Sequence, residues 1–145
     1  MTLSKSVNTD GHAKWLDKYP GLFQQTKRPG PSLRPRFDFG KGWDEIVDSL
    51  LWCIEWTLIV DFHLREQPVL IRTIREHQGS LDVDFAVEAP WAMALVRLSN
   101  ARAQETCEVC GQPGRYINTG WPQVRCGVHR RPRRVDYLNL MSGTD

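Results

Sequence analysis

The clearest periodicity in the chain begins at Trp43. Apolar residues recur at Trp43, Ile46, Val47, Leu50, Ile54 and Leu58, the spacing of one helical face over about four turns. Asp44, Glu45 and Asp48 crowd the first turns, where the helix dipole favours negative charge, and Gly40-Lys41-Gly42 punctuates the start. The pattern predicts a helix over 42–64. Leu51, Trp52, Trp56, Ile59 and Phe62 lie off the main stripe, so the C-terminal half is apolar almost all round. Two readings follow: this is the central buried helix, or Trp52 and Trp56 face a partner.

After Pro68 the period changes. Residues 69–75 are rich in β-branched side chains and read as a strand. A turn at His77-Gln78-Gly79-Ser80 follows, and then Leu81, Val83, Phe85 and Val87 alternate with Asp82, Asp84 and Glu88. Strict alternation predicts a half-buried second strand, hence an antiparallel hairpin. Pro90 suits the first turn of a second helix, with Trp91, Ala94, Leu95, Leu98 and Ala101 as its apolar face, running to about Thr106. Upstream of Phe37 there is little periodicity. Trp15, Leu16, Tyr19, Leu22 and Phe23 offer one short amphipathic turn broken at Pro20-Gly21, and Pro29, Pro31 and Pro35 oppose helix and strand alike.

The last third carries the chemistry. Cys107 and Cys110 form a C-x2-C pair, and Cys126 and His129 form a C-x2-H pair fifteen residues on. Two short-spaced ligand pairs at about this separation are the signature of a zinc ribbon. Each pair sits on a tight knuckle, with Gly111 and Gly127 free to relax the backbone there. Tyr116-Ile117-Asn118 and Gln123-Val124-Arg125 are the predicted strands of the hairpin between them. Cys107, Cys110, Cys126 and His129 supply four protein ligands, which closes a tetrahedral Zn²⁺ and makes the site structural. Cys53 reads as a small apolar residue of the first helix, and His12, His63 and His77 have no partner at ligand spacing. Thus the chain divides into an extended basic arm (1–36), an α+β core (37–106), the zinc ribbon (107–130) and a C-terminal tail (131–145). In that α+β fold two helices pack on a small antiparallel sheet, with Trp121 and Tyr116 burying the ribbon against the core.

Length and composition narrow the setting. The chain has 145 residues, 41% hydrophobic and 25% charged, enough for one domain with a real core. No apolar run approaches the roughly 20 residues of a membrane span, and 1–15 lacks the apolar stretch of a signal peptide. A cytoplasmic protein with reduced thiols, and no membrane partner, is expected. The formal net charge of +2 hides an acidic middle between basic ends: seven Lys/Arg against two acids in 1–36, six against twelve in 37–106, and six against three in 107–145.

The stretch TCEVCGQPGRYINTGWPQVRCGVH, with the Gly42-Trp43-Asp44-Glu45-Ile46 helix start and the strand-turn-strand around Ile74-Arg75-Glu76-His77-Gln78-Gly79-Ser80-Leu81, resembles a family of small uncharacterised bacterial and phage proteins ending in a zinc ribbon. The resemblance spans about residues 37–130. It is specific at the ribbon and looser at the turn, where Arg75, His77 and Gln78 depart from the family's usual residues. It implies a bacterial or bacteriophage origin and supplies no catalytic residues.

No nucleophile elbow, P-loop or HExxH motif is present, and Asp82, Asp84 and Glu88 read as the solvent face of a strand. A non-enzymatic protein is therefore expected. Six tryptophans point to protein binding, with Trp52 and Trp56 as partner-binding candidates, in the manner of an immunity protein or an inhibitor of host defence. The alternative is nucleic-acid binding through Arg115, Arg125, Arg130, Arg131, Arg133 and Arg134, with Tyr116 and Trp121 available for stacking. Homo-oligomerisation stands as a further partner reading.

Overall fold

A computed structural model describes residues 14–23, 35–118 and 120–130. Helix α1 spans Lys14–Lys18 and is followed by a 3-10 turn at Pro20–Leu22. Strand β1 is Arg36–Asp38. A second 3-10 turn, Lys41–Trp43, leads into α2, Asp44–Val60. The short α3, Phe62–Arg65, follows. Strands β2 (Leu70–His77) and β3 (Ser80–Val87) form the central hairpin, α4 covers Pro90–Ala103, and β4 (Arg115–Ile117) and β5 (Gln123–Arg125) form the ribbon hairpin. The α+β fold read from the sequence is the one observed.

The single long helix expected over 42–64 breaks at Asp61, for a local reason. Asp61 takes extended backbone angles, and its carboxylate accepts from the backbone N–H groups of His63 and Leu64 at 3.0 and 3.2 Å, capping α3. Arg65 folds back to donate to the Leu58 and Ile59 carbonyls at 2.8 and 2.6 Å, satisfying the open end of α2. Helix α4 begins at Pro90 as expected but stops at Ala103, three residues short of Thr106.

The main sheet has the order β1-β2-β3. β2 and β3 pair antiparallel, from His77↔Ser80 to Leu70↔Val87, with irregular register near Ile71. β1 adds to the other edge of β2 in parallel, Phe37 opposite Ile74. The sheet is therefore mixed, whereas the sequence predicted an antiparallel one. The parallel edge arises because α2 carries the chain from β1 back to β2 as a crossover. On β3, Leu81, Val83 and Phe85 point into the core. Asp82 and Asp84 point out and pair with Arg75 and Arg72 at 3.0 and 3.5 Å, the solvent face that their alternation implied.

One buried cluster joins Ile46, Val47, Leu50, Leu51 and Ile54 of α2 to Ile71 and Ile74 of β2 and to Ala92, Val96 and Ala103 of α4. The small residues of α4 allow the helix close to the sheet, and its Asn100 carboxamide oxygen accepts from Leu81 N–H at 2.8 Å. The same cluster contains Trp15, Tyr19, Leu22 and Phe23. Residues 14–23, assigned by sequence to an extended arm, are thus part of the core. Trp15 is fully buried and lies 5.5 and 5.7 Å from the Phe37 and Phe39 rings. Asp48 fastens the segment: it accepts from Trp15 Nε1 at 3.1 Å, Lys18 Nζ at 2.9 Å and Tyr19 OH at 3.3 Å. No helix among the described residues is long and apolar enough to cross a membrane.

Candidate metal centre

The first knuckle follows directly from the end of α4. After Ala103 the chain turns through Thr106, which bridges to Pro113. Cys107 N–H donates to the Gln112 carbonyl at 2.8 Å, and Gly111 N–H donates to the Cys107 carbonyl at 2.9 Å. Gly111 takes φ +81°, a conformation glycine adopts without steric cost. Gly127 stays outside that region, so the second knuckle does not need the relaxation its glycine offered.

β4 and β5 return the second knuckle to the first. Their register is Arg115↔Arg125, Tyr116↔Val124 and Ile117↔Gln123, so β4 starts one residue earlier than predicted. Glu108 N–H donates to the Val124 carbonyl at 3.1 Å, linking the first knuckle to the hairpin.

The result is a four-ligand cluster. The ligand atoms of Cys107, Cys110, Cys126 and His129 all lie within 4.8 Å of one another. Cys110 Sγ is 3.7 Å from Cys126 Sγ. His129 Nδ1 is 3.8 Å from Cys107 Sγ and 3.2 Å from Cys126 Sγ. Cys107 is buried, Cys110 exposed, and the other two half-buried. The cluster could bind a metal ion, and all four residues assigned from spacing belong to it. Cys53 stays half-buried on α2, remote in the chain from this cluster.

The local electrostatics favour thiolate at one corner. At Cys126 partial desolvation opposes ionisation, but backbone N–H groups of His129 and Val128 and the His129 ring outweigh it, bringing the thiol to about 6. At Cys110 the Gln112 N–H favours the thiolate, while desolvation and the neighbouring Cys107 and Cys126 sulfurs act against it and leave the thiol raised. A dication at the centre removes that mutual repulsion.

The core holds the ribbon by contacts that the sequence did not single out. Val124 and Gln123 are buried, and Val124 belongs to the main apolar cluster. Trp121 is two-thirds exposed and Tyr116 nearly half; the Tyr116 ring nevertheless packs against Gly79 of the β2–β3 turn, so the expected docking of the ribbon through these aromatics holds only in part. Glu108, buried beside the knuckle, pairs with Arg125 at 3.0 Å. Burial and the nearby Glu76 charge push its carboxyl up, against the pull of Arg125 and of Gly40 N–H. The Gly40–Gly42 loop meets Cys107 and Glu108 directly. Gly42 N–H donates to the Glu108 carbonyl at 2.7 Å, and a Cβ on Gly42 would collide with the Cys107 and Glu108 backbone.

Among the nucleic-acid candidates, Arg115, Arg125 and Arg130 line one open groove beside β4, although Arg125 is engaged by Glu108. Arg131, Arg133 and Arg134 lie outside the described residues. Trp52 and Trp56 are each about half exposed, their rings stacked at 5.6 Å and 4°, so burial inside the fold is not their role. Comparison of the chain with protein-family models, curated proteins and solved structures returns no match.

Proposed function

We propose that the Cys3His centre holds a structural zinc ion and that the chain, without catalysis of its own, acts by docking the outer face of α2 into a groove of another protein. Zinc in a tetrahedron, at about 2.3 Å from sulfur and about 2.0–2.1 Å from nitrogen, sets sulfurs about 3.8 Å apart and sulfur from nitrogen about 3.6 Å apart. The distances at the cluster, 3.7 Å for the sulfur pair and 3.8 and 3.2 Å for sulfur to nitrogen, lie around these values. Cys107, Cys110, Cys126 and His129 fill the tetrahedron and leave no open position, which supports a structural role.

The observation that carries the binding reading is the Trp52–Trp56 stack. Ile46, Val47, Leu50, Leu51 and Ile54 use one side of α2 for the core. Trp52, Trp56, Ile59 and Val60 lie on the opposite side, and each is about half exposed. Phe62, on α3 beyond the break at Asp61, is three-quarters exposed. With about half of each surface free, Trp52, Trp56, Ile59 and Val60 offer on the order of 400 Å² of apolar area, the scale at which surface patches are functional. Anchors at i, i+4 and i+7 or i+8 on a helix already fixed by its own core suit recognition by a hydrophobic groove. A protein that acts by occlusion, as a bacterial or phage immunity protein or an inhibitor of host defence does, requires no more than such a rigid face.

Affinity capture from cell lysate with the wild type and with a Trp52→Ser/Trp56→Ser double variant tests this. The wild type should retain a stoichiometric protein partner that the variant loses, while both give the same far-ultraviolet circular dichroism. Retention of the partner by the variant, or failure of the wild type to hold one, would overturn the reading.

A further inference from the structure

We infer that the groove beside β4 is a separate binding site, for single-stranded nucleic acid. Ion pairing distributes the charge of the chain unevenly. Asp44, Asp48, Asp82, Asp84 and Glu108 are paired with Lys14, Lys18, Arg75, Arg72 and Arg125, while the segment 37–106 as a whole stays acidic. Arg102, Arg115 and Arg130 have no acidic partner among the described residues, and all three lie around β4.

Two open grooves meet along residues 113–116. Arg102 and Glu105 line the first. The second, about 770 Å³, is lined by Arg115, Tyr116, Asn118, Arg125 and Arg130, and among the described residues no carboxylate lines it. Glu108 neutralises Arg125. Three thiolates on a dication give the neighbouring zinc centre a net single negative charge, which Arg115 and Arg130 together outweigh.

Tyr116 adds an aromatic surface to the same grooves. Tyr116 lies against Gly79 so closely that a Cβ there would strike its ring, and the ring lines both grooves while nearly half exposed. The β2–β3 turn therefore braces the ring from one side. Cations able to follow a phosphate backbone, beside an aromatic face that accepts any base, are the chemistry of single-strand binding. Neither element fits the apolar groove proposed for the α2 face, so the two sites are independent.

The test is fluorescence anisotropy of the full, zinc-loaded chain with labelled oligo-dT and oligo-U strands of about 12 nucleotides, and with a duplex of that length, at about 50 mM salt and above. Binding of either strand, falling steeply with salt, is the expected result. Arg115→Gln and Arg130→Gln should each weaken it about tenfold, and Arg72→Gln, an equal change of charge at a β2 residue that lines neither groove, less than about twofold. Tyr116→Phe should keep affinity and Tyr116→Ala lose about tenfold. Tyr116→Leu, which keeps bulk over Gly79, carries the same expectation as Tyr116→Ala should that variant fail to fold. Absence of binding at low salt, equal losses in all three arginine variants, or a duplex held as tightly as the strands overturns the proposal. So does competition by polyglutamate that Tyr116→Ala leaves unchanged, which makes the ligand an acidic protein.

Discussion

Trp43 Nε1 donates a hydrogen bond of 2.9 Å to the Thr106 carbonyl, across 63 residues of sequence and one residue before the first cysteine ligand. With the Gly42–Glu108 backbone bond, it ties the first knuckle to the start of α2. Trp43 is itself fully buried. Trp43→Phe keeps most of that apolar volume but leaves the Thr106 carbonyl without its donor, a loss of about 1–3 kcal/mol. Gly42→Ala should cost more, because the colliding atoms are backbone and cannot rotate away. Both variants should lower the melting temperature, and Gly42→Ala should also weaken zinc retention against a chromophoric chelator.

Metal removal should separate the two parts of the molecule. The ribbon hairpin has three residues per strand, too few to be stable alone. The core cluster around α2, β2 and β3 contains no metal ligand. Chelation at neutral pH should therefore abolish amide-exchange protection at Glu108 and Val124 while leaving that of Ile54 and Ile74. Cys126→Ser should reproduce this without a chelator, and Cys53→Ser should not.

How far the sequence spoke depended on how local each signal was. The four ligands were readable because spacing alone determines whether two side chains converge on one ion, and Cys107, Cys110, Cys126 and His129 do come together. The α2 stripe and the β2–β3 alternation were readable for the same reason. What failed was non-local. Trp15 and Tyr19 belong to the core through Asp48, about thirty residues away. β1 is only three residues long, and its partner β2 lies beyond a helix. Gly40-Lys41-Gly42 was read as punctuation before a helix, although its glycines face Cys107 and Glu108. A second glycine in a helix start that needs only one was the available signal. Trp52 and Trp56 were ambiguous because a hydrophobic pattern records what is apolar and not what covers it.

The Asp48 hub should give the fold a measurable acid limb. Desolvation opposes ionisation of its carboxyl, but the Lys18 ammonium and the Trp15 and Tyr19 donors prevail and hold it below the usual carboxylate range. A group that ionises more readily folded than unfolded contributes stability that is complete above its unfolded value, about 3.9, and drains away as pH falls through the folded one. Asp48→Asn keeps one carbonyl oxygen to accept from Trp15 and Tyr19 and removes the charge, together with the second oxygen to which Lys18 donates. At pH 7 it should cost under about 1 kcal/mol, since the pair with Lys18 is partly exposed. The difference from wild type in urea unfolding should shrink as pH is lowered from 6 towards 3.

The β2–β3 turn is the place where the chain carries avoidable strain. Gln78 and Gly79 have φ of +51° and +79°, the double left-handed geometry of a type I′ hairpin turn. Glu76 supports it by accepting from Gly79 N–H at 2.6 Å. For Gln78 the left-handed region costs about 1–2 kcal/mol, whereas glycine enters it freely at an entropic cost of about 0.5–1 kcal/mol. Gln78→Gly should therefore stabilise the protein by about 0.5–1 kcal/mol, and Gln78→Asn should act in the same direction, since Asn-Gly suits this turn. Gly79→Ala should do the reverse, because the added methyl meets both an unfavourable φ and the Tyr116 ring. Thermal melts of the three variants check the order. Opposite shifts at two adjacent positions would show that φ at each residue, rather than general loosening of the turn, sets the stability there.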